Sequence, residues 1–307
     1  MDAAHASNCR TMRMCEVLCT LRMCRAFHNK ALESEENLKH SFEQPITSQS
    51  PVEIKNLKIS KKTKQKHKLG LELSKDEKIT NYFALCGGEQ LRNSSEEANL
   101  NCYLSNRGDA SFYINPIKVE VHSHDPLIVS FHDIIYESEI NLIKWYSQFS
   151  LERSKVIGNS AVLSDARTSQ NTWLDDNVED AKLRHKLKII MDRVSRITRL
   201  NVHGKKNSET MQVANYGIGG HYSPHVDYFL ETPNRKKSDE KTSMDMKSKN
   251  RLATFMFYLN DVKRGGATVF PLIGAAVWPR KVNINATKWG SAAFWYNILR
   301  NKWIYDQ

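Results

Sequence analysis

After residue 205 the sequence consists of short β-prone runs separated by Gly, Pro and Asn, which restricts the C-terminal third of the chain to a mostly β arrangement. Runs of four to eight residues between turn-forming residues are typical of strands in a sandwich or barrel. Such strands protect their edges by forming a double-sheet jelly roll. The predicted strands cover residues 211–216, 252–259, 267–270, 275–278 and 292–298.

Two amphipathic helices are predicted upstream of these strands, over residues 138–149 and 178–200. Apolar residues recur at helical spacing in both, and residues 127–131 before them form a β-prone run. Helices followed by many strands predict an α+β fold, with a jelly-roll core and supporting N-terminal helices. The apolar positions are Ile140, Ile143 and Tyr146 in the first helix, and Leu183, Leu187, Ile190, Val194 and Ile197 in the second, with Asp175, Asp176 and Asn177 as candidate N-caps.

Residues 1–78 are predicted to be a disordered or truncated N-terminal segment. The chain has a formal net charge of +11, and residues 52–78 contain nine lysines among polar neighbours. Such a run is a solvated linker or, alternatively, a nucleic-acid-binding segment. Because no aromatic residues that could stack bases are interleaved, the linker is favoured and no nucleic-acid partner is predicted. Residues 79–120 are interpreted as a lead-in segment and residues 121–307 as the main domain.

The six cysteines leave two possibilities open. Cys9, Cys15, Cys19 and Cys24 lack the paired C-x-x-C spacing of a zinc site, so a metal is not favoured there. Cys86 and Cys102 are a candidate disulfide if the chain is in an oxidising compartment.

Targeting features do not settle the compartment. Residues 11–27 are mildly apolar, but four charged residues interrupt them and leave no clear signal peptide. No run of ~18 apolar residues exists, so no membrane span is predicted. Sequons at Asn93 and Asn285 have meaning only if the chain is secreted.

His225-Val226-Asp227 is the candidate metal-binding motif. Alternate residues of an extended strand lie on one face, so His225 and Asp227 can reach the same point. An imidazole and a carboxylate supply two of the three ligands of the facial triad of non-haem Fe(II) oxygenases. Residues 231–250 are almost wholly polar and are predicted to be a mobile loop near this site.

The segments around this motif resemble one family. NYGIGGHYSPHVDYF, NRLATFMFYLNDVKRGGATVFP, VWP and FWYN follow one another in order, and YFALCGGE and SFHDIIYESEI precede them. They resemble the catalytic domain of the collagen prolyl 4-hydroxylase α subunit, over about residues 81–307.

The resemblance implies a double-stranded β-helix that hydroxylates peptidyl proline with Fe(II), 2-oxoglutarate, O2 and ascorbate, as a procollagen-proline 4-dioxygenase. It also implies the endoplasmic reticulum lumen as location, collagen-like X-Pro-Gly peptides as substrate, and protein disulfide isomerase as the partner subunit of a tetramer.

By position, the resemblance makes His225 and Asp227 the first two iron ligands. It places Tyr216 in the 2-oxoglutarate pocket and Thr254 beside the distal carboxylate of 2-oxoglutarate. Without the resemblance, Tyr216 and Thr254 are equally ordinary strand residues. The remaining matches are the turn glycines Gly265 and Gly266, and Trp295 on a strand behind the pocket, which is otherwise a core residue.

The sequence departs from this family at the third ligand. No histidine follows His225, although the family has one in an R-H-x-x-C-P-V type segment. Lys302 is a candidate for the lysine that pairs with 2-oxoglutarate. His221 and Asp306 are weaker substitutes for the missing ligand, since His221 would lie ~13 Å from His225 along a strand.

Residues 282–289 are a second departure, because the family passes almost directly from Lys281 to Gly290. Together these features suggest a C-terminally incomplete domain from an imperfect gene model or a splice variant. Three functions stay open: a dioxygenase, an inactive relative that keeps the fold, or a jelly-roll binding protein in which His-x-Asp is incidental.

Overall fold

The computed structural model describes residues 16–24, 73, 75–157, 161–163, 166–175, 178–228, 250–262, 265–279, 282–284 and 287–298. Its helices are α1 (Lys75–Gly87), α2 (Ser94–Glu97), α3 (Glu137–Ser147) and α4 (Ala181–Thr198), with a 3-10 turn at Ala110–Phe112. Its strands are β1 (Glu16–Cys24), β2 (Cys102–Ser105), β3 (Ile117–His124), β4 (Leu127–Tyr136), β5 (Glu152–Arg153), β6 (Lys155–Ile157), β7 (Ala161–Leu163), β8 (Gln170–Leu174), β9 (Met211–Tyr216), β10 (Arg251–Tyr258), β11 (Thr268–Phe270), β12 (Ala275–Val277), β13 (Val282–Ile284) and β14 (Thr287–Tyr296).

One large antiparallel sheet organises the fold. Its strand order is β2-β3-β4-β14-β10-β1-β9-β8-β5, and β13 pairs with β14 at the side. Two small antiparallel hairpins, β11-β12 and β6-β7, complete the described sheets. The α+β jelly-roll prediction is confirmed, and the strands predicted after residue 205 match β9, β10, β11, β12 and β14 to within a few residues.

The two faces of the large sheet bury different clusters. Alternate residues of a strand point to opposite faces, so each strand contributes to both. The main core lies on the face covered by the helices, where Phe131 and Phe255 stack with ring centroids 5.7 Å apart and Phe294 lies 6.1 Å from Phe255. A smaller cluster on the other face includes Met256 and Tyr258.

Helix α4 buries the predicted apolar stripe. Leu183, Leu187, Ile190, Val194 and Ile197 are all at most 3% exposed. Burying such a stripe against the sheet is what stabilises a helix of this length in water.

The predicted N-cap of this helix is wrong. The helix begins at Ala181, three residues later than predicted, and the Asp180 carboxylate accepts a hydrogen bond of 2.7 Å from the Leu183 amide. Asp175 lies six residues before the helix, too far to reach its first amides, and Asp176 and Asn177 lie outside the described residues. Hydrogen bonds from the Tyr146 hydroxyl and from the Leu183 amide lower the pKa of the Asp180 carboxyl.

A buried ion pair joins α3 to α4. Arg193 donates to both carboxylate oxygens of Glu139, at 2.8 and 2.9 Å. Glu139 also accepts from the Tyr136 amide at the start of α3, at 2.9 Å. The pair therefore holds the start of one helix against the middle of the other.

The segment predicted to be disordered or truncated contains described residues at 16–24. They form β1, an interior strand of the large sheet that pairs with β9 on one side and β10 on the other. Helix α1 likewise begins at Lys75, inside the predicted tail. The sequence lacks a long periodic run in residues 1–50, but a single strand needs only a few alternating residues.

Residues 282–289 form part of a hairpin, in which Val282 to Ile284 pair with Thr287 to Trp289. The loop predicted at 231–250 lies outside the described residues apart from Asn250. No helix in the described ranges has both the length and the apolar character needed to cross a bilayer.

The disulfide between Cys86 and Cys102 stays a prediction. Cys86 is buried on α1, whereas Cys102 is exposed at the start of the edge strand β2.

Candidate functional site

A tight turn carries the chain from β9 to the His-x-Asp motif. The Gly220 amide donates to the Gly217 carbonyl at 2.8 Å, and Gly219 has φ +73°, where glycine has no steric penalty. A Cβ on Gly220 would lie 2.8 Å from the Gly217 carbonyl oxygen, so the turn needs glycine there. After the turn, Tyr222 forms an antiparallel bridge with Arg167.

His225 is fixed by a hydrogen bond and by ring stacking. Its Nδ1 lies 2.8 Å from the Ser223 carbonyl oxygen. A carbonyl can only accept, so Nδ1 carries the proton and a neutral ring keeps its lone pair at Nε2. The His225 ring stacks on Tyr222 with centroids 3.6 Å apart, and the Arg167 guanidinium lies 4.7 Å from the centre of the same Tyr222 ring.

Asp227 is fixed through both its side chain and its backbone. The buried Thr254 hydroxyl donates to Asp227 Oδ2 at 2.8 Å, and Thr254 Oγ1 in turn accepts from Asn297 Nδ2 at 3.0 Å. Arg251 donates to the Asp227 carbonyl at 3.1 Å and forms an ion pair with Glu209. Strands β10 and β14 therefore both position this carboxylate.

The side-chain nitrogen of His225 and the carboxylate oxygen of Asp227 that make no other hydrogen bond described above lie close together. His225 Nε2 lies 3.5 Å from Asp227 Oδ1. A transition metal binds imidazole nitrogen and carboxylate oxygen at ~2.0–2.2 Å, so two such ligands of one ion lie roughly 3–4 Å apart. The pair fits two adjacent positions of a metal centre. The 37% exposure of the His225 side chain leaves that side open to solvent and substrate.

A third protein ligand does not join this pair among the residues that the structure describes, since no three His, Cys, Asp or Glu side chains cluster there. His221 stays outside such a cluster, and its backbone is tied to Thr168 by hydrogen bonds of 2.8 and 3.0 Å. Asp306 and Lys302 lie outside the described residues, so both stay predictions.

The other predicted site residues line the same face of the sheet. Thr254 and Trp295 are directly opposite each other on β10 and β14. Trp295 packs edge-to-face on Phe270 at 5.3 Å, and Tyr216 and Trp295 both pack against the smaller core cluster. The contact of Thr254 with Asp227 gives it a place beside the metal ligand, and its contact with 2-oxoglutarate stays a prediction.

The predicted glycine pair has the expected backbone. Gly265 and Gly266 have φ +78° and +75°, a region that residues with a Cβ rarely adopt. Sequence reasoning missed Tyr222, Arg251 and Asn297, although each lies inside a segment that carries the family resemblance. Their order along the chain gave no sign that they contact His225, Asp227 or Thr254.

Comparison with known proteins agrees with this geometry. Residues 211–301 match the 2OG-Fe(II) oxygenase superfamily. The chain is 37% identical over 228 residues to prolyl 4-hydroxylase subunit alpha-2 of Caenorhabditis elegans, covering 72% of this chain and 37% of the relative. It is 34% identical to prolyl 4-hydroxylase subunit alpha-1 of Homo sapiens, covering 71% and 38%, and 37% identical to subunit alpha-2 of Gallus gallus, covering 72% and 38%.

The chain thus spans less than two fifths of the length of these relatives. The matched region begins at the first residue of β9 and contains every residue that holds His225 and Asp227 except Glu209 and Arg167. Residues 211–301 are thus similar to the 2OG-Fe(II) oxygenase superfamily, and over about 72% of its length the chain is similar to prolyl 4-hydroxylase alpha subunits.

Proposed function

We propose that this domain is a dioxygenase that binds Fe(II) and 2-oxoglutarate at the His225–Asp227 pair and hydroxylates peptidyl proline. The observation that carries the proposal is the pair His225 Nε2 and Asp227 Oδ1, 3.5 Å apart, with the second heteroatom of each side chain already held by the protein. A nitrogen and a carboxylate oxygen presented in this way are the first two ligands of a facial Fe(II) centre.

The residues around the pair keep the two ligand atoms in place. The Ser223 carbonyl fixes the tautomer of His225, and Thr254 orients the Asp227 carboxylate. Outer hydrogen bonds of this kind set ligand orientation and basicity in metal sites. Bound Fe(II) with 2-oxoglutarate supplies the power to oxidise an unactivated C–H bond with O2. The indole of Trp295 and the phenol of Tyr216 lie beside the smaller core cluster and offer an apolar wall for a co-substrate.

The first test is an anaerobic Fe(II) titration of the full chain with 2-oxoglutarate, followed by the visible metal-to-ligand charge-transfer band. We expect a band in the wild-type protein and none in Asp227→Ala. Asp192→Ala is the matched control, because His203 Nε2 and Asp192 Oδ1 form a similar pair at 3.3 Å on the surface. A wild-type protein that is folded and gives no band contradicts the proposal.

The second candidate is an inactive relative that keeps the fold and does not retain iron. One observation favours it, namely that no third ligand joins His225 and Asp227 within the described ranges. The titration separates the two functions, since an inactive relative gives no band while its circular dichroism shows a folded protein.

The finer features of the proposal come from the resemblance. We infer collagen-like peptidyl proline as substrate, ascorbate as cofactor, the endoplasmic reticulum lumen as location and protein disulfide isomerase as partner. The support is the similarity to proteins named prolyl 4-hydroxylase subunits alpha-1 and alpha-2. Hydroxylation of a (Pro-Pro-Gly) repeat peptide measured by mass spectrometry tests the substrate, and co-purification with disulfide isomerase tests the partner.

A further inference from the structure

Strands β9 and β10 follow each other among the described strands of the chain, yet they do not pair with each other. β1 lies between them and is antiparallel to both. Five residues of β1 pair with β9 and seven pair with β10. A strand from the N-terminus thus occupies a slot between the two strands that frame the candidate site.

The slot separates the two strands that lead to the candidate metal ligands and to Thr254. Neighbouring strands lie ~4.8 Å apart, so β1 holds β9 and β10 roughly 10 Å apart. β9 leads into the turn that carries His225 and Asp227, and β10 carries Thr254. The hydrogen bond of 2.8 Å from Thr254 to Asp227 joins β10 to the segment that follows β9.

The alternation of residues along β1 agrees with the register of its two neighbouring strands. Its register places Val17, Cys19, Leu21 and Met23 opposite Asn215, Val213, Phe257, Phe255 and Ala253, most of which belong to the main core. The alternate positions are Glu16 opposite Tyr216, Leu18 opposite Ala214 and Tyr258, Thr20 opposite Gln212 and Met256, and Arg22 opposite Thr254. A slip of one residue would place Arg22 opposite Phe255 or Ala253 of the main core, so this register is strongly specified.

The connection to the rest of the chain is long. Fifty residues separate Cys24 from Lys75, where the next described helix begins. Long connections add little to the closure cost but make the pairing strongly non-local. Both open edges of β9 and β10 offer backbone hydrogen bonds to an incoming strand, as in recognition by strand addition.

We propose that the space between β9 and β10 is a strand-binding groove, that its occupant is the N-terminal strand of the same chain, and that the candidate site assembles only when this strand is in place. The pairing does not rest on the proposed function; only the metal readout of the test does.

The first experiment compares Thr20→Pro with Thr20→Val in the full chain by hydrogen exchange. Thr20 is opposite both Gln212 and Met256, and proline removes its N–H from the middle of a sheet, whereas valine keeps the N–H and the strand propensity. We expect amide exchange in β9 and β10 to accelerate at least ~10-fold in Thr20→Pro and to stay unchanged in Thr20→Val. Equal protection in both variants would overturn the proposal.

The second experiment uses the full chain, unchanged except for a protease site inserted between residues 25 and 72. After cleavage of the folded protein we expect β1 to stay bound, and a labelled peptide of residues 14–26 in excess to replace it saturably. A control peptide with neighbouring residues exchanged in pairs has the same composition and the opposite phase, and should not bind. This exchange decides the question even if Thr20→Pro does not fold, and failure of the native peptide to enter contradicts the proposal.

The source of the strand and the role of the metal are separated by two further outcomes. A dimer that is present in the wild type and lost in Thr20→Pro would mean that a second copy supplies the strand, which overturns the assignment to the same chain. A wild-type protein whose β9 and β10 amides are protected from exchange but that gives no Fe(II) charge-transfer band would contradict the proposed function. It would not contradict the strand-binding groove.

Discussion

Thr254 is the residue that connects the candidate metal ligand to the sheet. Its side chain is 1% exposed, and its hydroxyl oxygen is shared between Asp227 and Asn297. The Thr254 hydroxyl donates from the interior of a strand, where its position is fixed. The Asp227 carboxylate therefore has a defined orientation before any metal binds. Preorganisation of this kind reduces the entropy that a ligand atom loses on binding.

We expect Thr254→Val to weaken Fe(II) binding about 10- to 100-fold without unfolding the protein. Valine keeps the shape and removes the hydrogen bond to Asp227 Oδ2, and loss of such an outer partner costs this much in other metal sites. The measurement is the midpoint of the anaerobic Fe(II) titration. Thr172→Val is the control, since Thr172 is also a buried strand threonine with a hydroxyl partner, Ser150, away from the site. Equal affinities in the two variants would show that Thr254 does not orient the ligand.

The sequence predicts the ligands better than the residues that hold them. His225 and Asp227 could be identified because a two-residue spacing is a local signal, and the structure brings the two side chains together. Tyr222 was missed although it is only three residues from His225, on which its ring stacks. Arg251 and Asn297 could not be assigned, because each acts through a contact between segments that are distant in the chain. A contact of that kind has no local periodicity and becomes visible only when the strands are in register.

At the level of elements, the helices depend on their apolar stripes and on one buried ion pair. The Glu139 side chain is 2% exposed and that of Arg193 is 12% exposed, so both charges are largely removed from water. Removing one partner of such a pair leaves an uncompensated charge, which costs far more than the loss of a surface ion pair. The pair therefore fixes how α3 and α4 lie on the sheet.

We expect Arg193→Met to lower the free energy of unfolding by about 3–5 kcal/mol, because it leaves the Glu139 carboxylate buried without its cation. Urea denaturation followed by circular dichroism measures the change. Arg184→Met on the exposed side of the same helix should cost less than ~1 kcal/mol. Adding Glu139→Gln to Arg193→Met should recover much of the loss, since the amide oxygen can still accept from the Tyr136 amide. A double variant as unstable as Arg193→Met alone would contradict this account.

Elements with long apolar stripes could be predicted and β1 could not. The stripe of α4 repeats over five positions, which distinguishes it from a loop. β1 is nine residues long, contains Glu16 and Arg22, and lies far from any other predicted element. Its backbone pairs with both β9 and β10, which lie far along the chain, so no local pattern predicts it.

At the scale of the whole molecule, the candidate site combines distant parts of the chain. Asp227 follows β9, Thr254 lies on β10 and Asn297 directly follows β14, while β1 separates the first two strands. Binding of a ligand to such a site is coupled to the stability of the entire sheet, because the ligand atoms exist as a group only in the folded state. A metal that binds the folded state alone raises its stability by mass action.

We therefore expect anaerobic Fe(II) with 2-oxoglutarate to raise the midpoint of thermal unfolding of the full chain. At a ligand concentration ~100 times the dissociation constant the gain is about 2.7 kcal/mol, which corresponds to roughly 5–10 °C for a domain of this size. Differential scanning fluorimetry measures the shift, and a chelator should reverse it. Asp227→Ala should show no shift, whereas Asp192→Ala, which alters only the surface His203 pair, should respond like the wild type. A shift that survives in Asp227→Ala would mean that the metal binds elsewhere, and the His225–Asp227 pair would then not be the centre that couples ligand binding to the sheet.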